Sequence, residues 1–402
     1  MHVLMLDGDG RQALPFLRAL KRAGHHVTVA CPRRTSLGYV SRYPDRRLLW
    51  PDYFHDHAGF VERMMEYIRR HRPDATLAVG DVSAEMLSRR KAELAPLTGL
   101  AVPDYETFVR AKDKARTMAY TMEHGIPCPK TFFPDREDLE GIIARAPMPV
   151  MVKPREGLGA VGLHRIETAE DLRRRYETIR ARYGELIIQE FIPQAGGMQF
   201  QAEAFCDAGG RMKACMVLAK PRFFPVTGGT STANVTIRRP DIQESVRRLL
   251  EGIGWTGAAD VDLILDPRDG AAKILEINPR VTAGIKIGFA AGIDYADLSL
   301  RLATGLPVPA VADYRMGIYM RNLCMDILWY LFATPEMRRT TWPPFFRFFG
   351  PGVKYQTLSA DDPLTEPAFW LTNILKYADP KVWKAKLGTD LEGGPAAGAD
   401  HA

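Results

Sequence analysis

The segment that most constrains this chain runs from Val150 to Ile166 and reads VMVKPREGLGAVGLHRI. Apolar residues at its two ends favour two β-strands, and Gly157, Gly159 and Gly162 lie between them. Their spacing matches GxGxxG, but a dinucleotide-binding loop must open a helix, whereas a second strand pattern follows here. The segment therefore predicts a flexible loop between two strands, with backbone amides that can close over phosphate groups.

Lys153 stands at the end of the first of these two strands. From that position its ammonium group can point at the same phosphates as the loop amides. The alternative is a glycine-rich hairpin that carries an exposed lysine, and the segment taken alone leaves this alternative open.

A second polar cluster lies on a predicted β-hairpin that reads AADVDLIL, then DPRDG, then KILEINPR. The two-residue period of a strand places Asp262 on one face with Asp260, and Glu276 on one face with Asn278. Oxygen ligands at this spacing suit Mg²⁺ ions that also bind substrate phosphates. A solvent-facing side of an edge hairpin is the competing interpretation. It is weaker for Glu276 and Asn278, because Arg280 follows in the same register and completes a row suited to phosphoryl transfer.

A third candidate is the stretch PRFFPVTGGTS that follows Lys220. Two glycines flanked by hydroxyl side chains can wrap an anion, and Arg222 can pair with a carboxylate or stabilise a γ-phosphate. The alternative is a structural strand-to-loop connection with a surface arginine.

The remaining pattern predicts several layers. Residues 1–105 alternate strands and helices, which predicts a parallel sheet with helices on both faces. Residues 131–190 read strand, helix, strand, loop, strand, helix, strand, and alternating strands dominate 199–280, which predicts mixed or antiparallel sheets. Residues 311–387 are rich in tryptophan and phenylalanine, and 388–402 are expected to form a disordered tail.

In order and spacing, these motifs resemble the ATP-grasp family of carboxylate–amine ligases over about residues 1–310. The resemblance implies a fold of α/β and α+β class, with a doubly wound parallel-sheet pre-ATP-grasp domain as in biotin carboxylase and the carbamoyl-phosphate synthase large chain. A two-lobed ATP-grasp domain and a helical, aromatic C-terminal extension follow it. The implied boundaries are 1–106 for the first domain, 107–310 for the second, with lobes of about 113–188 and 189–310, and 311–387 for the extension.

The resemblance also implies where ATP would bind. Lys114 and Lys153 match the two phosphate-binding lysines, and the glycine loop matches a mobile lid formed by Gly157, Gly159 and Gly162. The hinge that receives adenine through main-chain groups and one acidic side chain corresponds to Gln189, Glu190, Phe191 and Ile192. Either Gln199 or Glu203 would face the ribose.

By the same resemblance the metal ligands are Asp262, Glu276 and Asn278, although many relatives carry Glu or Gln at the first position. Arg280 matches the cation beside the transferring phosphoryl group, and it joins Lys153 and Arg222 as the predicted catalytic residues. The implied cofactors are ATP and Mg²⁺, with Mn²⁺ as an alternative.

The implied reaction forms an amide or peptide bond. A carboxylate attacks the γ-phosphate of ATP, and an amine then displaces phosphate from the acyl phosphate. Two alternatives stay open: an enzyme that phosphorylates bicarbonate, as carboxylases and carbamoyl-phosphate synthase do, and a non-catalytic ATP-binding scaffold at a membrane surface.

Composition indicates which classes of partner to expect. The chain has 54 Lys plus Arg and 48 Asp plus Glu, a net charge of +6, and no basic block interleaved with stacking aromatics, so we expect no nucleic-acid partner. Five scattered cysteines fit a reducing cytoplasm. Small-molecule carboxylates and amines are the expected substrates, and a homodimer is common among the relatives.

The apolar stretch from Leu323 to Phe332, with the aromatic residues after it, is most simply a helix that docks on the main domain. A sharper hypothesis makes it a peripheral contact with a membrane or a polysaccharide precursor, aided by Arg338, Arg339 and Arg347. Its apolar run is too short for the roughly 20 residues of a membrane-spanning helix.

Overall fold

The structure is a computed structural model that describes residues 1–157, 161–193, 198–226 and 229–377. Within these residues the strands form three sheets, of five, four and seven strands. The mixed α/β class expected from the sequence is confirmed.

The N-terminal sheet is parallel and covered on both faces by helices, as the alternating pattern predicts. Its strands are β1 (His2–Met5), β2 (His26–Cys31), β3 (Arg46–Leu49), β4 (Ala75–Leu77) and β5 (Gly99–Leu100), in the order β3-β2-β1-β4-β5. Its helices are α1 (Ala13–Arg22), α2 (Leu37–Val40), α3 (His57–His71), α4 (Asp81–Arg89), α5 (Lys91–Leu94) and α6 (Tyr105–Lys112). The apolar faces of α1 and α3 pack on opposite sides of β1.

The strand order reverses direction between β1 and β4, so the loops after these two strands meet at the carboxyl edge of the sheet. Such a point is where open α/β sheets place ligands. Asp7 follows β1, and Asp81 opens α4 directly after the loop that follows β4.

The second sheet is antiparallel, in the order β6-β9-β7-β8. Its strands are β6 (Thr131–Phe132), β7 (Val150–Pro154), β8 (His164–Ile166) and β9 (Leu186–Glu190), and the nearby helices are α7 (Lys114–Glu123), α8 (Leu139–Ile143) and α9 (Ala169–Tyr183). The glycine-rich segment connects β7 to β8, which pair with each other. A strand therefore follows the glycines, as predicted, and no helix begins within the described residues 161–166.

The third sheet has the order β14-β13-β10-β11-β12-β15-β16 and is antiparallel except between its last two strands. Its strands are β10 (Gln199–Cys206), β11 (Met212–Phe224), β12 (Thr230–Ile237), β13 (Gly257–Leu265), β14 (Ala272–Asn278), β15 (Tyr319–Arg321) and β16 (Val353–Tyr355). Its helices are α10 (Pro240–Gly252), α11 (Ile285–Ala291), α12 (Tyr295–Ala303), α13 (Leu323–Phe332), α14 (Pro335–Thr340) and α15 (Thr365–Tyr377).

The two faces of this third sheet differ. Phe200, Ala202 and Val261 point to the side covered by α10, where they join one apolar core. Alternate residues of the same strands point to the N-terminal domain, and that face carries the polar side chains of the candidate site.

The C-terminal region is part of this architecture, since β15 and β16 extend the third sheet. It also returns to the N-terminal domain, where Asp361 pairs with Arg18 (3.1 Å) and Asp362 accepts a hydrogen bond from Ser41 (2.6 Å). In the described part of the chain, no helix has the length and hydropathy needed to cross a membrane. The predicted disordered tail, 388–402, lies outside the described residues.

Candidate active site

Strand register aligns the polar side chains on one face of the third sheet. Asp262 stands opposite Glu276 across β13 and β14, and Asp260 stands opposite Asn278. On the other side of β13, Glu203 of β10 is the partner of Asp260. Because paired residues share a face, these side chains form one row. Strand period predicted the shared face of Asp260 with Asp262 and of Glu276 with Asn278, whereas the place of Glu203 in the row was not predicted.

The three predicted metal ligands lie within this row. Asn278 Nδ2 donates to Asp260 Oδ2 at 2.8 Å and to Asp262 Oδ2 at 3.2 Å. Glu276 pairs with Lys114 at 3.1 Å, and Asp262 pairs with Lys220. Lysine ammonium groups thus balance the carboxylates where a divalent cation would otherwise do so.

The row offers oxygen atoms that suit a hard cation. Among the described residues, no group of three or more His, Cys, Asp or Glu side chains is already arranged around a common point. However, Asp260 Oδ1 and Glu203 Oε2 are buried without a hydrogen-bond partner. Unsatisfied buried oxygens beside Asp262, Glu276 and Asn278 supply the ligands that Mg²⁺ prefers, so the donor set fits once the lysines move aside.

Lys153 lies on β7, and its side chain extends towards the row. It is 9% exposed, and its Nζ donates to Gln189 Oε1 at 2.6 Å. Burial lowers the pKa of Lys153 to about 8, with Glu276 opposing the shift and Lys114 adding to it. Both lysines therefore lie close enough to Glu276 to interact electrostatically with its carboxylate.

Lys114 is held by the start of α7. Asp113 caps this helix by accepting from Ala115 N at 2.9 Å, and Arg155 Nε donates to the same carboxylate at 3.1 Å. The backbone N–H of Lys114 donates to Arg155 O at 3.0 Å. The end of β7 and the start of α7 are thus joined, which fixes both phosphate-binding candidates relative to one another.

The predicted lid is described at two of its three glycines, Gly157 and Gly162, whereas Gly159 lies outside the described residues. Gly162 has a φ of +76°, and a Cβ there would lie 2.7 Å from Pro154 Cγ. Glycine is required at this position both by backbone conformation and by space.

The first two residues of the predicted hinge, Gln189 and Glu190, form polar side-chain contacts. Gln189 is buried within the sheet, and its side chain holds Lys153 and donates to Thr131 Oγ1 at 2.9 Å. The side chain therefore positions a lysine, and the contact of the hinge main chain with adenine stays a prediction. Glu190 accepts from Arg268 at 3.0 Å and from Lys130 N at 2.9 Å.

The other two hinge candidates follow β9. Phe191 lies beneath the Arg165 guanidinium, at 4.3 Å from ring centroid to Cζ, and Ile192 is buried.

Glu203 is fully buried. It accepts from Gln201 Nε2 at 2.8 Å and from the backbone and hydroxyl of Thr282, and burial raises its pKa to about 7. A fully buried side chain next to Asp260 does not fit the predicted contact with a ribose. Of the two ribose candidates, Gln199 keeps that role as a prediction.

Arg280 joins the row to the N-terminal domain. Its Nε donates to Asp81 Oδ2 at 2.6 Å, and the charges of Asp81, Asp260 and Glu203 raise its pKa against the effect of burial. Sequence reasoning assigned no role to Asp81 or to Lys220. Lys220 aligns with Gln199 in the register of β10 and β11, and strand period within β11 alone does not indicate this pairing.

The prediction for Arg222 is wrong. Strand β11 continues to Phe224, and a register irregularity between Ala219 and Arg222 alters the pairing just before the arginine. The guanidinium is fully buried and binds Asp326 through Nε at 2.7 Å and Nη2 at 2.9 Å. Asp326 of α13 thus occupies the position expected for a substrate carboxylate. Gly228 of the same predicted loop lies outside the described residues.

Comparison with known proteins agrees with this geometry. The family model described as the ATP-grasp domain matches residues 111–284. This segment is an ATP-grasp domain. The matched range includes both lysines and the residues predicted to form the lid, the hinge and the metal site.

Two curated relatives extend the match. The chain is 30% identical over 247 residues to a D-aspartate ligase of Enterococcus faecium, covering 55% of this chain and 58% of that protein. It is also 30% identical over 196 residues to a probable alpha-L-glutamate ligase of Xanthomonas euvesicatoria, covering 48% of this chain and 64% of that protein. The chain therefore spans less than two thirds of either relative.

Among solved structures, the biotin carboxylase domain of Hydrogenobacter thermophilus 2-oxoglutarate carboxylase, in complex with MgADP, ADP and bicarbonate, has a TM-score of 0.66 and 18% identity. The match covers 79% of this chain and 73% of that one. At this identity the likeness establishes the fold alone.

Proposed function

We propose that this protein is an ATP-dependent carboxylate–amine ligase that forms an amide or peptide bond and releases ADP and phosphate. The observation that carries the proposal is the convergence of Lys114, Lys153 and Arg280 on the row that contains Glu276 and Asn278. The names of the two curated relatives, both ligases of an acidic amino acid, support the same reaction class.

In the proposed mechanism, Lys114 and Lys153 bind the phosphate oxygens of ATP. Their present partners, Glu276 and Gln189, hold them in place before the nucleotide arrives. Asp262, Glu276 and Asn278 would hold Mg²⁺, or Mn²⁺ in its place, and the cation would supply charge neutralisation at the transferring phosphoryl group.

Arg280 stabilises the negative charge that develops when the substrate carboxylate attacks the γ-phosphate. Its bond to Asp81 fixes the guanidinium, so little rearrangement is needed during the step. The loop from β7 to β8 would close over the acyl phosphate and exclude water until the amine attacks and phosphate leaves.

A bicarbonate-phosphorylating enzyme is the second candidate, because the structural neighbour described above was solved with MgADP and bicarbonate. The same residues would perform the first step, and only the acid would differ. A homodimer and a cytoplasmic location accompany both candidates as proposals.

The test is ADP release from MgATP by the purified protein, with separate pools of amino acids, dipeptides, sugar acids and bicarbonate. We expect one amino-acid-containing pool to stimulate release, and mass spectrometry of that pool to show the amide product. Lys153→Ala is expected to abolish release. Lys91→Ala is the matched control, because Lys91 forms a surface ion pair with Asp104 at 2.8 Å.

Normal turnover in Lys153→Ala would overturn the site assignment. Stimulation by bicarbonate alone would replace the ligase with the second candidate. Binding of ATP without stimulation by any pool would favour the scaffold.

A further inference from the structure

The region around α14 exposes several large apolar side chains, which we call the aromatic patch. Its members and their exposed fractions are Leu331 (62%), Phe332 (48%), Trp342 (70%), Phe346 (68%) and Phe349 (87%). Single exposed apolar residues are ordinary on a protein surface, whereas a group of them within one short segment marks an interaction site.

Ring contacts beneath the patch hold its members together. Tyr330 stacks on buried Phe345 at 4.2 Å between ring centroids and meets Phe346 at 5.4 Å. Phe332 contacts Phe224 of β11 at 5.6 Å. Because this base is packed, the exposed side chains are presented by a folded surface.

Arginine side chains lie next to aromatic rings of the patch and of its base. The Arg338 guanidinium lies 4.7 Å from the Tyr330 ring centroid, and that of Arg347 lies 6.0 Å from that of Trp342. Arg339 is exposed beside them. Against these three arginines, residues 331–352 contain a single acidic residue, Glu336.

We propose that the aromatic patch docks this protein peripherally on the surface of an anionic lipid bilayer. Tryptophan and other aromatic rings favour the interface between headgroups and acyl chains, and arginines beside them are attracted by anionic lipids. A second copy of the chain fits this surface less well. In a two-fold contact, the three arginines of each copy would face each other with only Glu336 from each copy to offset their charge.

The docking does not depend on the proposed reaction, and its test needs no substrate. The experiment is flotation of the full chain with vesicles of phosphatidylcholine alone, or containing about 30% phosphatidylglycerol. We expect binding to the anionic vesicles, weaker binding to the neutral ones, and a loss of binding as salt is raised.

Two sets of variants separate the contributions. The combined change of Trp342, Phe346 and Phe349 to Ser is expected to lower partitioning at least tenfold. The combined change of Arg338, Arg339 and Arg347 to Gln is expected to lower it roughly a hundredfold on anionic vesicles, at about fivefold for each arginine.

The matched control is Leu371→Ser with Ile374→Ser, two side chains of α15 that are 48% and 59% exposed outside the patch. It should bind vesicles as the unchanged protein does. Equal melting temperatures in all variants would establish that they fold.

Three results would overturn the proposal. The first is absence of flotation with anionic vesicles, and the second is equal flotation of the serine variant and the unchanged protein. The third is a dimer in sedimentation equilibrium that the serine variant converts to monomer, because it assigns the patch to self-association.

Discussion

The two ends of the β13–β14 hairpin carry similar residues in opposite electrostatic conditions. At the turn, Asp266 accepts from Arg268 Nε at 2.8 Å and from Lys273 Nζ at 2.6 Å, and these bonds hold its pKa well below the usual range. At the other end, Asp260 has an unpartnered oxygen, and burial with the charges of Asp262 and Glu203 raises its pKa well above the usual range.

The difference separates an acid that stabilises the fold from those proposed to act in the site. The turn is satisfied by the chain itself, so its carboxylate stabilises the fold. In the row at the other end, buried carboxylate oxygens lack hydrogen-bond partners. This is expected where a bound ligand or cation would supply the missing contacts. Each experiment below perturbs one end and uses the other, or a distant residue, as reference.

The largest expected effect is on catalysis. Glu276→Gln removes a charge that the proposed metal and Lys114 both require, so ADP release should fall by about a thousandfold or more. Asp269→Asn, at the exposed turn, is the matched control and should leave release unchanged. A Glu276→Gln protein with ordinary turnover would remove the functional distinction between the two ends.

The turn should instead control stability. Asp266→Asn is expected to lower the free energy of unfolding by about 3 kcal/mol at pH 7, because Arg268 and Lys273 lose a buried partner. Since folding lowers the pKa of this acid, its contribution is present above about pH 4 and is lost as the pH falls through the folded-state pKa. Urea unfolding at several pH values measures this, and a difference that persists unchanged at pH 2 would contradict it.

Glu203→Gln tests the opposite sign at the functional end, in the absence of divalent metal. Folding raises the pKa of Glu203 to about 7, so the folded state binds more protons below that pH and loses relative stability as the pH rises. The variant should therefore gain stability over the unchanged protein between pH 4.5 and 7, by up to about 3 kcal/mol at roughly 1.4 kcal/mol per pH unit. Parallel stability curves would show that this carboxyl is not held protonated by burial.

The smallest effect concerns nucleotide affinity. Lys153 has a pKa of about 8 before a phosphate binds, so its ammonium is lost as the pH rises above 8 and the affinity for ADP should fall roughly tenfold by pH 9.5. Calorimetric titration at pH 7.5 and pH 9.5 measures the change. Lys153→Met should bind weakly with little pH dependence, and Lys91→Ala should behave as the unchanged protein; a steep pH dependence in Lys153→Met would assign it to another group.

Much of the site was predictable because strand period is local. Two-residue alternation is sufficient to place Asp262 and Asp260 on one face, and the strand after Gly162 is sufficient to reject a dinucleotide loop. These inferences need only neighbours in sequence, and the structure has the same arrangement.

Partners that are distant in the chain were not predictable. Arg222 was expected to meet a substrate, but β11 continues through it and α13 brings Asp326 from 104 residues away. Likewise, sequence spacing did not indicate that the side chain of Gln189 reaches Lys153 across the sheet. In both cases a polar side chain binds whichever partner burial brings within hydrogen-bond distance, and sequence spacing carries no record of that partner.

The sequence by itself determined the order of strands and helices over residues 131–190, the faces of the hairpin and the position of the glycine loop, since each follows from local backbone geometry and side-chain period. Only the tertiary structure decided which carboxylates are satisfied, that Asp81 holds Arg280, and that aromatic side chains after α13 remain exposed. Charge and burial depend on every element packed around a group, and they are therefore properties of the folded chain.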